Sequence, residues 1–171
     1  EIEALIQLSR QELFNTLGVE AAENIADANI MAHFEQAGMQ LWLDEMAALL
    51  RPLRGPARDI LVQWARRYEL YNLKALLRGK LGQQSNQEIM DSLFRLPGFL
   101  SLDHDRLLHT DDASELLRRL EGTPYQHIAR QAYRRFTERQ DPFLLDATLD
   151  QFFYTEMARY VAPLEEPDRS A

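Results

Sequence analysis

The sequence predicts an all-α protein built from repeated helical units. Apolar residues recur at helical spacing along almost the whole chain, and no Asn-Gly type of hairpin signal separates alternating runs. A segment also recurs: EMAALLRPLRGPAR at residues 45–58 returns as EMARYVAPLEEPDR at residues 156–169. The first copy runs on into a long helical pattern, whereas the sequence stops two residues after the second copy. We therefore expect repeat units that are cut short before a further long helix, an arrangement typical of binding surfaces more than of catalytic pockets.

The first half of the chain predicts three helices before a proline-rich connector. Their expected bounds are residues 2–17, ended by Gly18, residues 20–36, ended by Gly38, and residues 39–50, which stop before Pro52. Glycine commonly follows the last helical residue, and proline disfavours helix in the residue that precedes it.

A long helix over residues 57–81 is the most informative predicted element, and Pro56 suits its first turn. It carries two apolar stripes, one with Ile60, Leu61, Trp64, Tyr68, Tyr71 and Ala75, the other with Leu70, Leu73, Leu77 and Leu81. A helix that is apolar on two faces is expected to lie buried between two neighbours. Asn72 falls on or beside the first stripe, so we expect its amide to be buried and hydrogen-bonded to another helix. Arg67, Lys74 and Arg78 share an edge that is either solvated or paired with carboxylates.

The second half predicts shorter helices and then one more long helix. The expected elements are a helix at 87–96 ended by Pro97-Gly98, a helical turn at 102–109, a helix capped by Asp111 or Asp112 that runs to Leu120, a helix from Pro124 to Arg139, and a helix opened by Asp141-Pro142 that ends at Pro163. We accordingly divide the chain into residues 1–53 as the end of a first unit, 54–162 as a second unit and 163–171 as a linker.

Composition excludes several classes of function. The 19 basic and 27 acidic residues give a net charge of -8, which argues against a general nucleic-acid binder. The basic and aromatic mixture at residues 133–139 is better explained by Phe136 packing inward. The absence of Cys excludes disulfides and thiolate metal sites and leaves the cytoplasm as the default location. No apolar run approaches the ~20 residues that cross a bilayer, so no direct lipid insertion is expected.

No catalytic, cofactor-binding or metal-binding motif is recognisable. The phosphate loop, the GxSxG turn, HExxH and a Gly-rich dinucleotide turn are all missing. The nearest group is His104, Asp105 and His109, where the two histidines are five residues apart and do not share one helical face. An enzyme with a metal site at these three residues remains an alternative hypothesis.

Two motifs resemble those of a known family. YELYNLKALLRGK at residues 68–80, followed by PFLLDATLDQFFYTEM at residues 142–157, resembles the C (AC39) subunit of the archaeal and bacterial V-type (A-type) ATPase, whose eukaryotic relative is the d subunit. That family repeats an Asn-Leu-x-x-Leu-Leu-Arg helix and a Leu-Asp-x-x-Tyr-Tyr helix in three all-α units. The matching residues are Asn72, Leu73, Leu76, Leu77 and Arg78, and then Leu149, Asp150, Phe153 and Tyr154, with Phe153 in place of the first expected Tyr.

The resemblance implies a non-catalytic central-stalk subunit without a cofactor, peripheral at the cytoplasmic face of the membrane. Its implied role is to couple the rotor shaft to the membrane proteolipid ring for proton or sodium transport. Arg67, Lys74 and Arg78 are then the candidate residues for binding the shaft. The alternative is a helical-repeat adaptor unrelated to ATPases, although TPR and HEAT repeats span about 34–47 residues and the offset here is 111.

Overall fold

The computed structural model describes residues 27–163, with side-chain exposure from residue 35 onward. All seven helices of this part are α-helices and it contains no strand, so the all-α prediction is confirmed. Their bounds are α1 Asp27–Leu50, α2 Gly55–Leu81, α3 Asn86–Asp91, α4 His104–Leu108, α5 Ala113–Arg119, α6 Gln126–Arg139 and α7 Pro142–Val161. The helix predicted at residues 2–17 and the start of the one at 20–36 lie outside the described residues.

The chain divides into two compact units, Glu1–Leu49 and Leu50–Ala171. The three-part division expected from the sequence, with a first boundary after residue 53 and a linker at residues 163–171, stays a prediction.

In the first unit, α1 is one continuous helix, so the predicted interruption at Gly38 is wrong. A single glycine inside a helix costs only about 1 kcal/mol. No heavy atom lies within 4 Å of the position that a Cβ of Gly38 would take. Without a proline beside it, the glycine was too weak a signal to end the helix.

In the second unit, α2 packs against α7, and α7 also packs against α6. The predicted starts at Pro56 and at Asp141-Pro142 are confirmed, since both prolines lie in the first turn of their helices. The Asp141 carboxylate accepts a hydrogen bond from the Phe143 N–H, and Asp112 caps α5 in the same way through Glu115. Two bounds differ from expectation: α3 ends at Asp91, not residue 96, and α6 begins at Gln126, after Pro124.

The leucine stripe of α2 faces the core, and Trp64 of the other stripe also packs against it. Leu70, Leu73 and Leu77 are buried among residues of α5, α6 and α7. The other stripe is half-exposed, with Tyr71 at 48% and Leu61 at 41%. The expectation that this stripe is buried against a second neighbour is therefore wrong at Leu61 and Tyr71. Its middle contacts the irregular segment after α3, where the Phe94 ring lies 4.9 Å from the ring of Tyr71.

Candidate functional site: the polar face of the long helix

Three polar side chains on one face of α2 hold the chain segment 94–110 in place. Glu69, Asn72 and Lys80 lie within about a quarter-turn of one another, because offsets of three and eleven residues return to nearly the same side of an α-helix. Each of them hydrogen-bonds to main-chain groups of the segment that includes the irregular loop and α4. We call these three residues the polar face of α2.

Asn72 is fully buried and forms two hydrogen bonds with a single residue. Its Nδ2 donates to the Phe94 carbonyl at 2.8 Å, and its Oδ1 accepts from the Phe94 N–H at 2.8 Å. The predicted burial of the amide is confirmed. The predicted partner was wrong, because the amide binds the main chain of a loop and not another helix. Asn is suited to this role because one side chain supplies both a donor and an acceptor.

Glu69 is a fully buried carboxylate that sequence reasoning missed. Its Oε1 accepts a hydrogen bond from the Leu102 N–H at 2.9 Å, and the His104 Nε2 lies 3.1 Å from its Oε2. Burying a carboxylate is costly unless it is hydrogen-bonded or paired, and these contacts supply that compensation. Burial raises the pKa of the nearby Tyr125 hydroxyl, and the negative charge of Glu69 raises it further. The only sequence signal was an acidic residue within an apolar run, three residues before Asn72.

Lys80 uses its ammonium group to bind the end of α4. Its Nζ donates to the carbonyl of Leu108 at 2.7 Å and to the carbonyl of Thr110 at 2.6 Å. A third bond, of 2.9 Å, reaches Oδ1 of Asn86 in α3. The last carbonyls of a helix lack intrahelical partners and carry the negative end of its dipole, so a lysine is a favourable partner there.

The segment fixed by the polar face lines a cleft of about 600 Å³. Its apolar lining includes Leu93, Leu96 and Leu108, and Asp103 and Asp105 lie in its wall. His109 Nδ1 lies 2.7 Å from the carbonyl oxygen of Asp105. With His104 on Glu69, both histidine side chains of the metal hypothesis are occupied with structural contacts. Across the described part of the chain, no group of three His, Cys, Asp or Glu residues is placed to hold a metal ion.

Two ion pairs join α2 to α7, the helices that carry the two motifs named in the sequence analysis. Lys74 Nζ lies 2.5 Å from Asp150 Oδ1, and Arg78 pairs with Asp146. Both helices contribute residues four apart, so the pairs form two consecutive rungs between antiparallel helices. Of the alternatives for this edge, Lys74 and Arg78 are therefore paired with carboxylates.

The other motif residues divide between core and surface. Arg67 is exposed on α2. Leu73, Leu77 and Leu149 are fully buried in the core, whereas Tyr154 is 65% exposed. The structure thus brings the two motifs together through leucine packing and ion pairs.

The fold and this site define a helical scaffold whose buried polar groups bind its own main chain. The chain belongs to the family described as ATP synthase (C/AC39) subunit, whose model matches residues 1–170. Family membership removes the alternative of an adaptor unrelated to ATPases.

Three relatives illustrate the similarity, each the C subunit of an A-type ATP synthase. The Methanosphaera stadtmanae protein is 28% identical over 103 residues, covering 60% of this chain and 26% of the relative. The Methanosarcina mazei protein is 23% identical over 150 residues, covering 88% and 39%. The Haloferax volcanii protein is 25% identical over 103 residues, covering 60% and 30%. The chain thus spans well under half the length of these relatives, and no solved structure matches it significantly.

Within residues 27–163, no helix is both long enough and apolar enough to cross a bilayer.

Proposed function

We propose that the chain is part of a non-catalytic central-stalk subunit of a rotary A/V-type ATPase. In this role it couples the rotor shaft to the membrane proteolipid ring for proton or sodium transport, as a peripheral component at the cytoplasmic face. The family match over residues 1–170 is the observation that carries the proposal. The names of the relatives, all C subunits of A-type ATP synthases, support it.

The geometry of the second unit suits a part that transmits force. The long helix α2 is joined to α7 by apolar packing and two ion pairs. Its polar face binds the irregular segment through side chains that include the fully buried Glu69 and Asn72. Such fully bonded polar groups favour one arrangement of the neighbouring chain over others. A part that couples two others needs this rigidity more than it needs a reactive group.

Co-purification tests the proposal directly. The natural full-length protein is expected to co-purify with both the shaft subunits and the proteolipid ring. Failure to co-purify with either of them would overturn the assignment.

Arg67, Lys74 and Arg78 remain the proposed shaft-binding residues, and their ion pairs determine how the role must be tested. Reversing the charge of Lys74 alone also breaks its ion pair with Asp150. The double variant Lys74→Asp/Asp150→Lys restores an internal pair while it reverses the charge at each position. Arg67 forms no ion pair with the described residues, so Arg67→Glu breaks none.

If these residues contact the shaft, both Arg67→Glu and the double variant should weaken shaft binding, more at low salt than at high salt. Shaft binding that is lost in Lys74→Asp and recovered in the double variant would assign Lys74 a purely structural role. Unchanged shaft binding by Arg67→Glu at both salt concentrations would remove Arg67 from the contact.

A further inference from the structure

The segment that contains α5 and α6 is basic within an acidic chain. Residues 113–139 contain six arginines and three glutamates, whereas the whole chain has a net charge of -8. All six arginine side chains are exposed. This concentration of positive charge is separate from the polar face of α2 and from the ion pairs with α7.

Among the residues that the structure describes, three of these six arginines have a carboxylate partner. Arg119 pairs with Glu115 at 3.0 Å, Arg134 pairs with Glu138 at 3.7 Å, and Arg130 pairs with Glu121. Arg118, Arg135 and Arg139 have no ion pair among the described residues. The excess positive charge of the segment therefore resides on three identifiable side chains.

Two of the three, Arg135 and Arg139, are neighbours near the end of α6. They are four residues apart, a spacing at which like charges on a helix repel by about 0.2–0.5 kcal/mol. Arg135 donates a hydrogen bond to the hydroxyl of Thr148 on α7, at 3.1 Å, which leaves its charge uncompensated. An anionic partner at this edge would remove the repulsion.

An exposed aromatic ring follows this pair closely in the chain. Phe143, in the first turn of α7, is 72% exposed, the largest value among the large apolar side chains of residues 35–163. The chain turns sharply between the two helices, since Gln140 adopts a left-handed conformation with φ of 54°. Phe143 thus follows Arg139 closely at the closed end of the α6–α7 hairpin. We call Arg135, Arg139 and Phe143 the hairpin tip.

We propose that the hairpin tip is a docking point for an acidic helix of another subunit of the ATPase, an inference that rests on the proposed function. Arginine and aromatic side chains are the residues most often responsible for binding energy at protein interfaces. Guanidinium groups pair with carboxylates in a fixed fork geometry. Two guanidiniums at i, i+4 spacing match two carboxylates at the same spacing on a partner helix, with Phe143 as the apolar anchor. A lipid surface would not require this spacing.

The experiment compares variants of the natural full-length protein in co-purification with the other ATPase subunits. Arg135→Gln/Arg139→Gln removes the unpaired charges, and Phe143→Ala removes the anchor. The control Arg51→Gln/Arg106→Gln makes the same change in net charge at exposed arginines outside the hairpin. Both tip variants should lower recovery of the complex by at least tenfold at low salt, and the control should not. Thermal unfolding of the free arginine variant should fall only slightly below wild type, because the variant loses the Arg135 hydrogen bond to Thr148 while repulsion within α6 is relieved.

The outcomes separate this inference from the proposed function. If the wild-type protein fails to co-purify with ATPase subunits, the proposed function fails. If wild type and both tip variants co-purify equally, only the docking point is wrong. If the tip and control variants lose binding equally, the effect belongs to net charge and the tip is again wrong. Flotation with vesicles that contain 30% phosphatidylserine gives the last check, since tip-dependent binding to them would replace the acidic helix with a lipid surface.

Discussion

Replacing Asn72 with Leu should destabilise the protein by removing both hydrogen bonds to Phe94. Leucine has the same branched shape and the same number of side-chain heavy atoms and is a good helix former, so α2 itself should persist. The N–H and C=O of Phe94 would each lose a partner at 2.8 Å in a half-buried segment. Hydrogen bonds that water can replace are each worth about 0.5–1.5 kcal/mol, and buried groups left unpaired cost about 1–3 kcal/mol each. We expect a loss of about 1–3 kcal/mol, towards the lower range because Phe94 is not fully buried.

Urea denaturation measures the loss of global stability, and amide hydrogen exchange measures the local effect at Phe94. The loss corresponds to a fall in the unfolding temperature of about 2–4 °C for each kcal/mol in a chain of this size. Exchange at the Phe94 amide should accelerate more than exchange in the core of α2, since its acceptor is removed. Gln131→Leu is the control, because it makes a similar change at an exposed position on α6.

Two results together would refute the reasoning. The first is a free energy of unfolding of the Asn72→Leu protein within about 0.5 kcal/mol of that of the Gln131→Leu protein, which is the ordinary range for surface changes. The second is a Phe94 amide that stays protected from exchange. Together these results would show that apolar packing alone holds the loop on α2.

Two further predictions concern packing and pH. A Cβ at Gly79 would lie 2.6 Å from Cδ1 of the fully buried Ile89, so Gly79→Ala should lower the free energy of unfolding in urea by about 1–3 kcal/mol. The control is Gly38→Ala, whose Cβ would meet no atom within 4 Å, and it should not destabilise the protein. A Gly79→Ala protein as stable as wild type would show that Ile89 moves freely. Burial raises the pKa of Tyr125 above its ordinary value of 10.0, so above pH 10 the unfolded state loses this proton while the folded state keeps it. The free energy of unfolding is therefore unaffected by this group below pH 10. Above pH 10 it falls by up to about 1.4 kcal/mol per pH unit. Tyr125→Phe should flatten that alkaline decline in unfolding experiments while Tyr154→Phe, at an exposed ring, leaves it unchanged; equal declines in both variants would contradict the assignment.

Helical periodicity predicted most of the regular structure and failed at the irregular segment. The long helix, the Asp141-Pro142 start and the Asp112 cap follow from local rules that act within a few residues. The covering of α2 by segment 94–110 depends on contacts 22 to 35 residues apart in the chain. Such contacts leave no periodic signal, and only the burial of Asn72 hinted at them.

Glu69 shows why a polar residue inside a predicted helix is hard to interpret. A charged side chain at that position would ordinarily be assigned to the solvent face. Its burial is tolerable because its carboxylate is hydrogen-bonded to the Leu102 N–H and contacts the His104 ring. Both residues belong to a segment whose path the sequence did not predict. The burial of Glu69 can therefore be inferred only when the path of the segment that carries its partners is known.

The seven residues from Asn72 to Arg78 show how one short motif specifies three neighbours. Asn72 binds the loop, Leu73, Leu76 and Leu77 enter the core, and Arg78 pairs with α7. Each neighbour requires a different side chain: the loop requires an amide that donates and accepts, the core requires apolar volume, and α7 requires a positive charge. Few other side chains satisfy these three demands at these positions. A motif under such geometric constraint can stay recognisable even though overall identity to the relatives is only 23–28%. The motif that resembles the family's therefore also fixes the long helix among its neighbours.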